Sequence, residues 1–459
     1  MVRGVDHSKT MTTIPVDEIV EATGGKVLCG KRQAVTGFSI DSRKTGQGEL
    51  FVALRGARFD GHDFVPDALR NGCGAIVSIP PAEPVGEKMV IQVKNTLAAL
   101  HDIARHRRLR RNIPVVGVTG TNGKTTTKEL VASILSQNHA VLTTRGNFNN
   151  HIGLPLCVAN MQGNEHFMVL EMGSNARGDI RELCEIVHPD IAVVTNVGEA
   201  HLEGFGSIET VRDTDLEVLA YVKTLCINAD DHLLMEGIGA YRGRVITYGI
   251  ENRADFTARE IMLRDQGSRF LLVTPDRGDI RISLSISGQF NVLNAVAAAT
   301  VASELGMSLD EIRSGLESFT GVPLRLEIRH LSGALIINDV YNANPASMEG
   351  ALRELARLRK GRTIAVLGDM LELGAYAADA HADLVAKLNR LRVDVLIAVG
   401  PEMHRAAAGF AGPAYRAGSS SEARSLLFGM MKDGDTVLIK GSRGIYMEKV
   451  LAGEGGDAL

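Results

Sequence analysis

Gly120-Thr121-Asn122-Gly123-Lys124-Thr125-Thr126 is a run of residue types that can hold a chain of phosphates. Glycines let backbone N–H groups close in on phosphate oxygens. A lysine at position 124 can reach the outer phosphates, and the Thr125 hydroxyl can hold Mg²⁺. The stricter phosphate-loop pattern wants another glycine five residues before Gly123. That position is Val118, and Gly117 comes one residue too early. The setting therefore carries the reading: an ordinary glycine turn is the alternative, and Gly-Lys-Thr-Thr before a helical pattern argues against it.

Glu171 is the next metal candidate, because a carboxylate at a strand end suits a hard, oxygen-preferring cation. A surface glutamate at a strand end is the competing reading. Further on, Asn196, Glu199, His201 and Glu203 crowd into eight residues. His201 could bind metal or orient substrate, or could be structural.

These residues need a strand before the loop and a helix after it. Pro114 opens a β-branched run over 115–119 that reads as a buried strand. The helical pattern from Lys124 puts Leu130, Ile134 and Leu135 on one face. Strands are also expected over 166–170, 191–195 and 225–228, each ending in polar residues, where ligands of open α/β sheets gather. Alternating Ile280, Ile282, Leu284 and Ile286 suggest an antiparallel edge, and 291–305 an alanine-rich helix. The pattern predicts an α/β chain of three domains, in keeping with 459 residues at about 150 per domain. The expected boundaries are a flexible N-terminus over 1–12, a small α/β domain over 13–95, a central doubly wound P-loop domain over 96–321, and a Rossmann-like domain over 322–459. The last carries no GxGxxG, which argues against a dinucleotide there, and its tail from Gly453 is expected to fray.

A formal net charge of −4 argues against a general nucleic-acid binder. Arg105, Arg107, Arg108, Arg110 and Arg111 read as a solvated helix end, with a place near an anionic substrate as the alternative. Five cysteines without a CxxC pair read as buried or free thiols. With no apolar leader in the first dozen residues and no run long enough to span a bilayer, a cytoplasmic location is expected.

The segments GVTGTNGKTTTKEL, RGNFNNHIGLPL, LEMG, TNVGEAHLEGFG and QFNVLNAVAA, in this order, resemble the ATPase domain of the Mur ligases. The resemblance spans roughly residues 13–450. DSRKTGQGELFVALRGARFDGHDF, INDVYNANPASM and VLGDMLELG resemble the branch that adds D-alanyl-D-alanine. A DNPR motif is absent, and Tyr341 to Pro345 stand in its place. The resemblance implies an ATP- and Mg²⁺-dependent amide-bond ligase of peptidoglycan precursor synthesis. Its substrates would be UDP-N-acetylmuramoyl-tripeptide and D-alanyl-D-alanine, and its form a monomer. The first domain would take the UDP end, with Ser42 and Arg43 near it, and the third the dipeptide. Gly120, Thr121, Asn122, Gly123, Lys124, Thr125 and Thr126 would cradle ATP. Asn294 is expected on the adenine side, with a solvent-facing helical position as the alternative. Arg325 would reach the phosphates and Asp339 the ribose. Lys124, His201 and Arg325 would be catalytic. Asn147, Asn149, Asn150 and His151 would lie near the muramoyl-peptide, and Tyr341, Asn342 and Asn344 where the dipeptide arrives, although Asn344 also reads as a turn residue before proline.

Metal ligands would be Thr125 and Glu171, with His201 at a second site. There the family's pattern places a lysine, carbamylated in many members, and this chain has Asp215. An aspartate keeps the negative charge but sits several bonds closer to the backbone. It leaves open a nucleotide-binding homologue with weakened catalysis; a Mur-type or folylpolyglutamate-like ligase with another donor is the other alternative, and the YNANP and GDMLELG segments speak against it by resemblance.

Overall fold

The structure, a computed structural model, describes residues 13–82 and 85–453. The segment expected to be flexible over 1–12 and, beyond Gly453 itself, the tail expected to fray lie outside the described residues.

The strand Val115–Thr119 is buried at every residue, as a β-branched run between two parallel neighbours must be. Phe167–Glu171 pairs with it on one side and Ile191–Val194 on the other, both parallel. The register sets Glu171 opposite Val118 and Val194 opposite Thr119, so the three strand ends finish level beside the glycine turn. Six further strands complete this nine-stranded sheet. Asp279–Leu284 forms the expected antiparallel edge, paired with Ser268–Val273. The strand beyond, Phe256–Leu263, escapes a sequence reading because a bulge between Arg259 and Met262, with Glu260 at φ 51°, breaks its alternation.

Helices Lys124–Leu135 and Gln289–Glu304 cover one face of this sheet, packing Leu130, Val131 and Ile134 with Val296 and Ala299. On the other face Leu154, Leu170 and Ile180 share a core with Leu100 and Ile103, and that core runs on into Ile19, Phe38 and Leu50 of the first domain. The first domain is built on a five-stranded sheet and a two-stranded ribbon. The third holds a six-stranded sheet in which Ala334–Asp339, Thr436–Lys440 and Thr363–Gly368 lie side by side and parallel.

The arginine cluster departs from its expected solvated state. Arg107 and Arg108 are buried on the last turns of the helix Thr96–Leu109, in the seam between the first two sheets. Arg107 Nη2 donates to Met161 O at 2.6 Å. Arg108 donates to Val187 O at 2.7 Å, His188 O at 3.2 Å and Arg111 O at 2.7 Å. Val187 and His188 end the helix Asp179–Val187, whose last carbonyls lack helical partners and carry the negative end of its dipole. Arg108 is thus a C-terminal cap that ties the helix Thr96–Leu109 to the helix Asp179–Val187. Burial pulls both guanidinium groups below their ordinary range, and Asp190 opposes this at Arg108. Arg110, by contrast, is exposed as expected. Arg108→Met is expected to destabilise the protein by about 2–4 kcal/mol, since one buried and two partly buried carbonyls lose a charged donor. Thermal unfolding of the variant checks this.

Candidate active site

Gly120 (φ 120°) and Gly123 (φ 81°) make the turn between the central strand and its helix. A Cβ at Gly120 would lie 2.2 Å from Thr195 Oγ1, and one at Gly123 would lie 2.5 Å from Asn294 Oδ1. Only glycine fits at either place. The neighbouring strand end pins the loop: Thr121 N donates to Asn196 O (2.8 Å), Asn122 N to Asn196 Oδ1 (2.9 Å), and Thr195 Oγ1 to Asn122 O (2.6 Å). Gly123, at the helix N-terminus, has no side-chain cap, so the first-turn N–H groups face a pre-formed cradle for an anion.

Lys124 turns its amine inward onto Gly120 O and, at 3.1 Å, Thr121 O, although part of its side chain stays accessible. Desolvation lowers its pKa; the Glu171 and Asp215 carboxylates oppose the shift, and Arg325 adds to it. Thr125 Oγ1 donates to Glu171 Oε2 at 2.8 Å and accepts from Arg325 Nη2 at 2.9 Å. Asn149 Nδ2 holds the other Glu171 oxygen at 2.9 Å. A hydroxyl against a buried carboxylate, beside a bare helix N-terminus, is a donor set of hard oxygens and suits Mg²⁺ on a phosphate. Arg325 Nε is buried without a partner, a donor available to a ligand at this spot.

Asp215, 1% exposed, lies under the loop. It accepts from Thr119 Oγ1 at 2.8 Å and Ser174 Oγ at 3.4 Å. Burial pushes its pKa up to about 6 against the Lys124 charge and these hydrogen bonds. His201 goes elsewhere: its backbone is left-handed (φ 53°) and its Nδ1 meets Glu372 Oε2 of the third domain at 2.5 Å. Glu203 N donates to Glu372 O at 3.1 Å, closing a second link across the same seam. Among the described residues no three His, Cys, Asp or Glu side chains converge as metal ligands.

The remaining expected residues divide. Thr126 is buried on the first turn of the loop helix. Asn294, 7% exposed, accepts from Thr127 Oγ1 at 3.4 Å and abuts Gly123, so the solvent-facing alternative does not hold. Asn344 caps the helix Pro345–Arg357 in a capping box with Ser347, and its Nδ2 also reaches Asn122 Oδ1 at 2.9 Å. Tyr341 lies under the Arg325 guanidinium, 4.0 Å from its ring centroid. Asp339 is spent on Lys440 Nζ (2.6 Å) and Leu326 N (3.1 Å), and Asn342 gives its carbonyl to Lys440 as well. Asn150 accepts from Ile152 N and Gly153 N, while Asn147 and His151 stay exposed. Ser42 and Arg43 sit in a turn of the first domain, where Arg43 pairs with Asp41 at 2.9 Å. All five cysteines are free thiols.

Sequence reasoning passed over Lys128, Lys440 and Glu372. Lys128 is fully buried, with Nζ on Thr144 O at 2.6 Å, and Thr144 Oγ1 in turn accepts from Glu171 N at 2.9 Å. Its position one helical turn after Lys124 was the available signal.

Three family models match the chain. They are described as the Mur ligase family catalytic domain, over residues 34–108, the Mur ligase middle domain, over 118–302, and the Mur ligase glutamate ligase domain, over 324–443. A Bacillus subtilis (strain 168) protein named UDP-N-acetylmuramoyl-tripeptide–D-alanyl-D-alanine ligase is 35% identical over 438 residues, which cover 92% of this chain and 93% of its own. The crystal structure of MurF from Acinetobacter baumannii superposes with a TM-score of 0.89 at 33% identity, covering 96% of this chain and 98% of that one. MurF ligase from Thermotoga maritima, in complex with ADP, superposes with a TM-score of 0.81 at 32% identity, covering 90% and 96%.

Proposed function

The chain belongs to the Mur ligase family, and from that premise we propose that it joins D-alanyl-D-alanine to UDP-N-acetylmuramoyl-tripeptide at the expense of ATP. The observation that carries this reading is the Arg325–Thr125–Glu171 chain, which ties the third domain to the phosphate loop beside Lys124.

The tripeptide carboxylate attacks the γ-phosphorus of ATP; the bond to ADP breaks and an acyl phosphate forms. The free amine of D-alanyl-D-alanine then adds to the acyl carbon, and phosphate leaves as the amide forms. Two anions meet in the first step, so positive charge must gather on the transferring group. The loop N–H groups and the Lys124 amine supply part of it, and Arg325 brings more from the third domain. Thr125 and Glu171 are the residues to hold Mg²⁺, which when bound neutralises phosphate charge. Asn149 fixes the Glu171 carboxylate for that task, and Lys128, through Thr144, steadies the Glu171 backbone. The seam formed by His201, Glu372, Asn122 and Asn344 keeps the third domain over the loop and shields the acyl phosphate from water. The first domain takes the UDP end of the acceptor. No helix among the described residues is long and apolar enough to cross a membrane, and this reading puts the enzyme in the cytoplasm.

Glu372→Gln is expected to lower kcat about three- to five-fold and leave ATP binding unchanged. The pair is partly exposed, at 33% for His201 and 60% for Glu372, and such pairs contribute about 1 kcal/mol or less. Steady-state kinetics beside a nucleotide-binding isotherm measure the split.

Asp215 favours a second reading, a nucleotide-binding homologue with lapsed catalysis. The deciding experiment is phosphate release with Mg-ATP and UDP-N-acetylmuramoyl-tripeptide, with and without D-alanyl-D-alanine. Release that needs the dipeptide, with the pentapeptide seen by mass, supports the ligase. Tight ATP binding without release supports the lapsed homologue.

A further inference from the structure

Three neighbouring parallel strands of the third domain, Ala334–Asp339, Thr436–Lys440 and Thr363–Gly368, end at the edge that faces the phosphate loop. The loops that follow them are stitched into one floor. Ser442 N donates to Asp369 O at 3.1 Å; Ser442 Oγ donates to Ala343 O at 3.2 Å and accepts from Leu371 N at 2.9 Å. Such strand ends are where open α/β sheets bind ligands.

Three cations stand on this floor, and two are committed. Lys440, 2% exposed, is bound to Asp339 and Asn342 O. Arg325 reaches Thr125 and stacks on Tyr341. The third, Arg443, has its side chain 54% exposed, and its guanidinium meets Glu448 only at 3.6 Å. That is well beyond the roughly 2.7–2.9 Å of a charge-assisted hydrogen bond, so its planar fork is available to a carboxylate. Arg443 also lies over Tyr341, 5.9 Å from the ring centroid. Exposed Leu371 lies beside this loop, with its Cδ1 close to Gly444. A guanidinium beside an aromatic ring and a leucine side chain suits a carboxylate that carries methyl groups.

We propose that Arg443 binds the C-terminal carboxylate of the incoming D-alanyl dipeptide, with Tyr341 and Leu371 against its methyl groups. This rests on the ligase reading above. The spacing permits it: the Arg325 and Arg443 guanidinium carbons lie 4.0 and 5.9 Å from one ring centroid, and so no more than about 10 Å apart. An extended dipeptide spans up to about 7 Å. With its carboxylate on Arg443, its amine points toward the Arg325 side, where the acyl phosphate forms. Arg443 is then a substrate-binding residue that sets the dipeptide's direction.

The test compares D-alanyl-D-alanine with its C-terminal amide in wild type, Arg443→Met and Arg443→Lys, with ATP and UDP-N-acetylmuramoyl-tripeptide saturating. Wild type is expected to prefer the acid by about 10- to 100-fold in kcat/KM. Arg443→Met should raise KM for the acid by a similar factor, leave KM for ATP and for the tripeptide unchanged, and bring the acid-to-amide ratio close to one. Arg443→Lys should restore part of the preference. An undiminished preference in Arg443→Met, or a parallel rise in KM for ATP, would overturn the assignment. Wild-type enzyme that couples ATP to an acceptor but takes no D-alanyl-D-alanine would overturn the ligase reading, and this proposal with it.

Discussion

Alanine in place of Lys124 is expected to cut dipeptide-dependent phosphate release by about 10²–10³-fold, some 3–4 kcal/mol of transition-state stabilisation. The ammonium is folded onto Gly120 O and Thr121 O, where burial lowers its pKa, and a charge partly held out of water acts more strongly on a phosphate than a solvated one. No other cation can replace it. Arg325 is already fixed on Thr125, and Lys128 is buried behind the helix on Thr144 O. The fold should survive, because a lysine whose folded pKa lies below its unfolded value is not stabilising the protein in its charged form. Lys124→Arg should not restore turnover: the planar guanidinium cannot fold onto Gly120 O and Thr121 O as the amine does. Phosphate release by single-turnover assay, with thermal unfolding as a control for folding, decides it. Turnover equal to wild type would remove Lys124 from the phosphate site.

What could be read from the sequence was local. The strand, glycine turn and helix from 115 to 135 follow from a β-branched run and a 3.6-residue period, and their strand ends placed Thr125 and Glu171 together. Partners distant in sequence stayed hidden. Asn294 lies 167 residues from Thr127, and Lys440 lies 101 from Asp339. No local period encodes such pairs. Arg107 and Arg108 show the same limit from the other side. A cluster of arginines at a helix end reads as solvated until two sheets close over it and its donors find helix-terminal carbonyls. His201 was legible as a functional type, but its partner was not, because Glu372 belongs to another domain and sits in a left-handed conformation (φ 64°) that no pattern announces.

Asp215 gives the second large effect, and its sign differs between stability and activity. Its folded pKa of about 6 lies above the ordinary 3.8, so the folded protein holds this proton more tightly than the unfolded chain does. The group's contribution to stability is therefore complete below about pH 3.8 and is lost as pH rises through about 6. Asp215→Asn removes that dependence. Above pH 7 the variant should be more stable than wild type by up to about 3 kcal/mol, seen as a raised thermal midpoint that converges with wild type near pH 4. Activity should run the other way. The ionised carboxylate lies beneath Gly120 with Lys124 as its charged neighbour, and Glu171 acts on the same ammonium, so Asp215 offers negative charge to the cation side of the site. Wild-type turnover is then expected to rise with pH through about 6, and the rise should move to lower pH as Mg²⁺ increases. Asp215→Asn should lose the rise and about 10- to 100-fold in kcat. Stripping CO₂ should leave wild-type turnover unchanged, since there is no lysine at 215 to carbamylate. Asp215→Lys, in contrast, should turn over only when bicarbonate is supplied. An Asn variant with full activity would make Asp215 a buried carboxylate that merely supports the loop. Loss in the Asn variant that bicarbonate restores in the Lys variant would show that the site needs a negative group at this place and accepts it at two lengths.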